Sequence, residues 1–120
     1  MIDVLRGRPA AQHVQDLRRK GIEPWVCVIS VEEIWRGTFP AEEAAVARLF
    51  RGVRLARLAN AEGERAGRWR RQFAERGVTL HQADCLIAAA CVGISADLAT
   101  GNPDDFPMPE VTVRHWPPGS

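Results

Sequence analysis

Apolar and polar positions change period several times along the chain, and the changes divide it into short elements. Pro9 opens a helix at its first turn, Ala10 to Lys20 continue it with Val14 and Leu17 on the buried side, and Gly21 stops it. Trp25-Val26-Cys27-Val28-Ile29 is a continuous apolar and β-branched run, too short for a helix, which predicts a strand covered on both faces. Ser30-Val31-Glu32-Glu33 has capping-box spacing, so a helix is expected directly at the strand's end, running to Gly37. A further helix is expected from Pro40 to about Arg51. After a short segment from Val53 to Leu58, a long polar helix follows from about Ala59 to Arg76, closed by Gly77. Thr79 to Gln82 repeats the capping-box spacing ahead of Ala83 to Val92, a strongly apolar stretch read as a mostly buried helix that Gly93 ends. Leu98-Ala99-Thr100 and Val111-Thr112-Val113 read as short strands on either side of the turn-rich Gly101 to Asp105.

Strands alternating with helices predict an α/β fold, a parallel sheet flanked by helices. A length of 120 residues suits one domain over residues 1–120, with the proline-rich 116–120 as a flexible tail. In such sheets ligands sit beyond the carboxyl ends of the strands, so the residues that follow each strand bear on function.

Composition changes this picture little. The apolar and charged shares are those of a globular chain and argue against disorder. No apolar run approaches the length that crosses a bilayer, and no basic start leads into an apolar leader, so a cytoplasmic location without membrane contact is expected. Cys27, Cys85 and Cys91 are odd in number, lack zinc-site spacing and lie among apolar residues, and are expected to be free and buried. The net charge is +1, but arginines crowd the middle of the chain, Arg65, Arg68, Arg70 and Arg71 among them. Such a stretch serves either as a solvated helix face or as a track for nucleic-acid phosphates.

Acids occupy three helix-start or post-strand locations: Glu33, Asp84, and the pair Asp104 and Asp105. Singly, each has a structural explanation as a capping-box partner, a helix N-terminal charge or a turn former. Together they say more, because carboxylates that converge at a sheet end repel one another unless a cation or protons neutralise them. Oxygen-only ligands favour Mg²⁺ or Mn²⁺, either of which can polarise a phosphoryl oxygen.

Ser30-Val31-Glu32-Glu33-Ile34-Trp35-Arg36-Gly37, with Gly four residues after Glu33, resembles the strand-to-helix segment of PIN-domain toxins of the VapC type. Asp84-Cys85-Leu86-Ile87-Ala88-Ala89-Ala90 resembles the same family's D-x-L-I-A-A helix, and Leu98 to Phe106 its L-x-T-x-N-x-x-D-F segment. Order and spacing agree over nearly the whole chain. The resemblance implies a PIN-like (Rossmann-like) sheet and a metal-dependent endoribonuclease, the toxin of a type II toxin–antitoxin pair. A VapB-like antitoxin and a homodimer are the implied protein partners, RNA the substrate, and Mg²⁺ or Mn²⁺ the cofactor. Carried over by position, Glu33, Asp84 and Asp105 are the expected catalytic acids and metal ligands, with Asn102 as a further or orienting ligand and Thr100 in support.

One departure stands out. Ile2 to Pro9 matches the family's first helix and turn, so the family's first strand, with the Asp that closes it, is expected to be absent, and Asp3 is assigned no ligand role. Loss of a central strand would leave two inner strand edges open in a protein whose net stability is only about 5–15 kcal/mol. Two expectations follow. One is that Met1 stands for an internal Val or Leu codon; the other is the rival reading, a weakened or inactive PIN scaffold that acts by binding protein. A response-regulator-like receiver is disfavoured, because the only lysine is Lys20, in the first expected helix.

Overall fold

Five short strands hydrogen-bond into one sheet in the computed structural model, which describes residues 2–3 and 19–115. They are β1 (Ile2–Asp3), β2 (Trp25–Val26), β3 (Arg54–Leu55), β4 (Leu98–Thr100) and β5 (Val113–His115), all parallel, in the order β3-β2-β1-β4-β5. Between them run α1 (Val28–Arg36), α2 (Glu43–Arg51), α3 (Asn60–Glu75) and α4 (Gln82–Gly93), with 3₁₀ turns at Pro40–Glu42 and Pro103–Asp105. The expected helix from Ala10 lies outside the described residues except for its end at Arg19 and Lys20, as do Trp116 and the tail. Gly21 follows with a φ of +74°, the left-handed turn that only glycine takes cheaply.

The middle strand overturns an expectation. Ile2-Asp3, read as the start of a helix with the first strand missing, is the central strand itself. Ile2 pairs with Trp25 on one side and Leu98 on the other, and Asp3 stands opposite Ala99. The physical reason is pairing: β2 and β4 each have an inner edge of amide and carbonyl groups, and β1 satisfies both. Two residues are too few to show strand alternation, so nothing in the periodicity opposed the helix that the family resemblance implied.

Other boundaries move for local reasons. The strand expected over Trp25 to Ile29 stops at Val26, and α1 begins at Val28 with Cys27 as its N-cap. The Cys27 carbonyl takes the amides of Ser30 and Val31 at 2.9 and 3.1 Å, so Ser30 lies inside the first turn and caps nothing. Likewise His81, not Thr79, precedes α4. The Pro40 helix divides into a 3₁₀ turn and α2, with the Glu42 carboxylate accepting the Phe39 amide at 3.1 Å. The last strand runs over Val113–His115 rather than from Val111, and β3 is an unpredicted strand on the outer side of β2.

The long polar helix forms where expected and buries one stripe. Glu62, Ala66, Trp69 and Phe73 recur at spacings of three and four. Trp69 is only 2 % accessible. That stripe packs on α4, whose Cys85 and Ile87 to Cys91 are buried almost completely, and with Leu98, Phe106 and Met108 they form the main core. All three cysteines are free and buried, as expected. A smaller cluster joins Val26 and Ile34 to Val46, Leu49 and Phe50.

Candidate functional site

The chain lays down β1, β2 and β3 in one direction and then returns to place β4 and β5 on the other side of β1. The strand order therefore reverses between β1 and β4, and the crevice beyond their carboxyl ends is where open α/β sheets take ligands. Asp3 ends β1 and Thr100 ends β4. The neighbouring β2 passes through Cys27 straight into α1, which carries Glu33.

Glu33 and Asp84 both turn inward. Asp84 is 4 % accessible in the first turn of α4, where the helix N-terminus favours a negative charge. Glu33 is half-buried, and its Oε1 is shut off from solvent. Helix α1 packs against α4, which brings the two acid-bearing elements together. Two buried thiols report the charges. Burial pushes the Cys27 thiol above its ordinary range, against the pull of the Ile29 and Ser30 backbone, and the Glu33 carboxylate adds to the rise. Burial raises Cys85 to about 11; the Arg70 guanidinium opposes that shift and the Asp84 carboxylate reinforces it.

Thr100 is buried, and its Oγ1 accepts the Asn102 amide at 3.1 Å, which leaves the hydroxyl proton to donate. Asn102 and Asp105 are exposed on the loop and 3₁₀ turn that follow β4, where the Asp105 amide donates to the Asn102 carbonyl at 3.1 Å. Among the described residues no three His, Cys, Asp or Glu side chains are grouped so as to hold a metal ion, so Glu33, Asp84 and Asp105 do not make a closed set by themselves. The donors available at this end of the sheet are oxygens, the chemistry that suits Mg²⁺ or Mn²⁺.

Sequence reasoning placed Asp3 in a first helix and gave it no ligand role; the structure places it at the end of β1. The available signal was topological: a parallel sheet with β2 and β4 as neighbours of one strand needs a segment ahead of Trp25, and Ile2-Asp3 is the apolar-acidic stretch that supplies it.

The four arginines of α3 do not form a single track. Arg68 pairs with Glu64 at 2.6 Å, Arg65 lies over the Trp69 ring at 5.8 Å, and Arg70 Nε donates to the Leu80 carbonyl at 3.3 Å. Arg71 is exposed. Arg65 and Arg68 line a groove of about 320 Å³ together with Glu64, Gln72 and Glu110. Glu110 precedes β5, at the amino end of the sheet, so the groove's mixed charge lies away from the carboxyl ends.

No protein-family model matches the sequence, and no curated protein matches it either. Solved structures match its fold. A chain of VapBC2 from Rickettsia felis, bound to a DNA fragment from its promoter, is 18% identical with a TM-score of 0.73, over 97% of this chain and 99% of that one. Chains of DNA-bound VapBC from Salmonella typhimurium and of VapBC-1 from nontypeable Haemophilus influenzae are each 17% identical, with TM-scores of 0.75. Both cover 97% of this chain and 96% of the other. The PIN-like α/β fold is therefore the one these chains share.

Proposed function

We propose that this chain is a metal-dependent endoribonuclease, the toxin of a type II toxin–antitoxin pair, with Asp3, Glu33 and Asp84 as its central acids. The observation that carries the reading is the placement of Asp3 at the carboxyl end of the central strand, beside the switch point, with α1 and α4 bringing Glu33 and Asp84 inward. Likeness of fold to chains from VapBC complexes supports it. Asp3, Glu33 and Asp84 would hold Mg²⁺ or Mn²⁺, with Asp105 and Asn102 on the exposed loop beyond β4 closing the site over substrate. The ion, when bound, supplies Lewis-acid stabilisation of the phosphoryl charge and a more acidic water as nucleophile.

The residues of the chain have separate tasks. A carboxylate of the group would take the proton of the attacking water. Thr100, anchored through Oγ1, offers its remaining proton to a carboxylate oxygen and holds its orientation. Looped or single-stranded RNA fits, because its backbone can reach a shallow acidic edge. With Asp3 in the central strand, the inert-scaffold reading loses the missing acid on which it rested.

A VapB-like antitoxin is the proposed protein partner, supported by exposed apolar rings at the end of α1. Trp35 and Phe39 are 39 % and 57 % accessible, and Trp35 meets Phe50 with centroids 6.3 Å apart. The nuclease reading is tested by incubating the purified chain with RNA in Mg²⁺, Mn²⁺ or chelator. Cleavage is expected only with metal, and Asp84→Asn and Asp3→Asn should each lower it by roughly 100-fold. Cleavage undiminished by chelator or by Asp84→Asn would refute the mechanism, and full activity in Asp3→Asn would remove Asp3 from the site.

A further inference from the structure

Ser30 is fully buried, and its Oγ has no hydrogen-bond partner among the described residues. A serine inside a helix ordinarily returns its proton to the carbonyl three or four residues back. Here neither carbonyl receives it. The Val26 carbonyl receives the Ala56 amide at 2.8 Å, and the Cys27 carbonyl receives the amides of Ser30 and Val31. Buried hydroxyls are almost always satisfied, so an unsatisfied one marks a place where another group belongs.

The location says which group. Ser30 stands three residues before Glu33, so the two side chains are neighbours on one face of α1. Oε1 of Glu33 is shut off from solvent as Ser30 Oγ is, and the helix that carries both packs against α4 with its buried Asp84. A hydroxyl proton can rotate toward an oxygen acceptor on either side of its bond, and a carboxylate is the strongest acceptor available.

We propose that Ser30 is a positioning residue of the acid site, donating a hydrogen bond to the Glu33 carboxylate and holding it in the orientation that binds a divalent cation. The inference rests on the nuclease reading above but concerns a residue that reading does not use. It also explains why a polar side chain occupies a dry position that alanine would fill with less loss. The hydroxyl has no partner among the described residues, and the Glu33 carboxylate, oriented to hold the ion, would supply one.

The test compares the full chain with Ser30→Ala, Glu33→Gln and the double variant, using Mn²⁺ calorimetry, urea unfolding in chelator, and RNA-cleavage kinetics. Ser30→Ala is expected to weaken Mn²⁺ binding about 10-fold. It should lower kcat with little change in KM for RNA, and leave the metal-free protein as stable as the parent or more so. In the Glu33→Gln background the same change should cost nothing further, because the two act as one unit. Unchanged Mn²⁺ affinity in Ser30→Ala, or losses that simply add in the double variant, would overturn the role of Ser30 while leaving the acid site standing. A parent protein that neither binds Mn²⁺ nor cuts RNA would overturn both.

Discussion

Replacing Glu62 by alanine should cost the protein about 2–3 kcal/mol of stability, although Glu62 lies in a mostly polar helix. The carboxylate is 7 % accessible, and its Oε1 accepts the Ala59 amide at 2.7 Å, capping the amino end of α3. A hydrogen bond to a charged acceptor contributes about 1.5–3 kcal/mol, and the favourable placement at a helix N-terminus about 0.3–1 kcal/mol. The Arg57 contact adds little, since its Nε is 3.9 Å away and the arginine side chain is 76% exposed. Desolvation of the carboxylate offsets part of the gain. Glu62→Gln keeps an acceptor oxygen and loses the charge, so it should cost about 1 kcal/mol. Gly93 supplies an internal control, because a Cβ there would meet Glu62 Oε2 at 3.3 Å. Gly93→Ala should therefore stabilise more in the Glu62→Ala background than in the parent, where the crowding opposes the gain in helix propensity. Urea unfolding of the parent, the three single variants and the double variant measures all of this. A loss below about 0.5 kcal/mol in Glu62→Ala, or equal effects of Gly93→Ala in both backgrounds, would refute the capping argument.

Trp69→Phe removes the Nε1–H donor to Glu110 Oε2 at 2.9 Å; because Glu110 is exposed and rehydrates, the expected cost is about 1–2 kcal/mol, read by urea unfolding. Cys85 gives a pH signature. Burial keeps its folded-state thiol protonated from the ordinary 9.0 up to about 11, so between these values the folded protein binds more protons than the unfolded chain. Its contribution is thus fully present below pH 9.0 and lost as pH rises toward 11; the urea midpoint should fall across that window, and fall less in Cys85→Ala. Gly77 takes a φ of +78° with open space around its Cα, so Gly77→Ala should cost about 1–2 kcal/mol by backbone strain alone, and Gly77→Asn less, as thermal unfolding would register.

Helix α3 shows what local pattern can decide. Its polar length, the stop at Gly77 and the stripe at Ala66, Trp69 and Phe73 are all legible, because a helix satisfies its hydrogen bonds within itself and needs only one apolar face. The same holds for α4, whose run from Ala83 to Val92 could only be buried, and for Asp84 standing at its head. Glu33 was legible as an acid near a strand end, although for the wrong local reason, since Cys27 rather than Ser30 begins α1.

Strand identity was another matter. β1 is two residues long, and nothing within Ile2-Asp3 distinguishes it from the opening of a helix. It becomes a strand because β2 and β4 offer it two complementary edges, one of them 96 positions away in sequence, where Ile2 pairs with Leu98 and Asp3 with Ala99. A strand obtains its hydrogen bonds from other segments, so its existence is a property of the sheet. That difference placed Asp3 beside the switch point. The sequence by itself determined the helices, the apolar core and most of the acids. Tertiary structure decided which strand lies at the centre, because a strand takes its hydrogen bonds from segments far away in the chain.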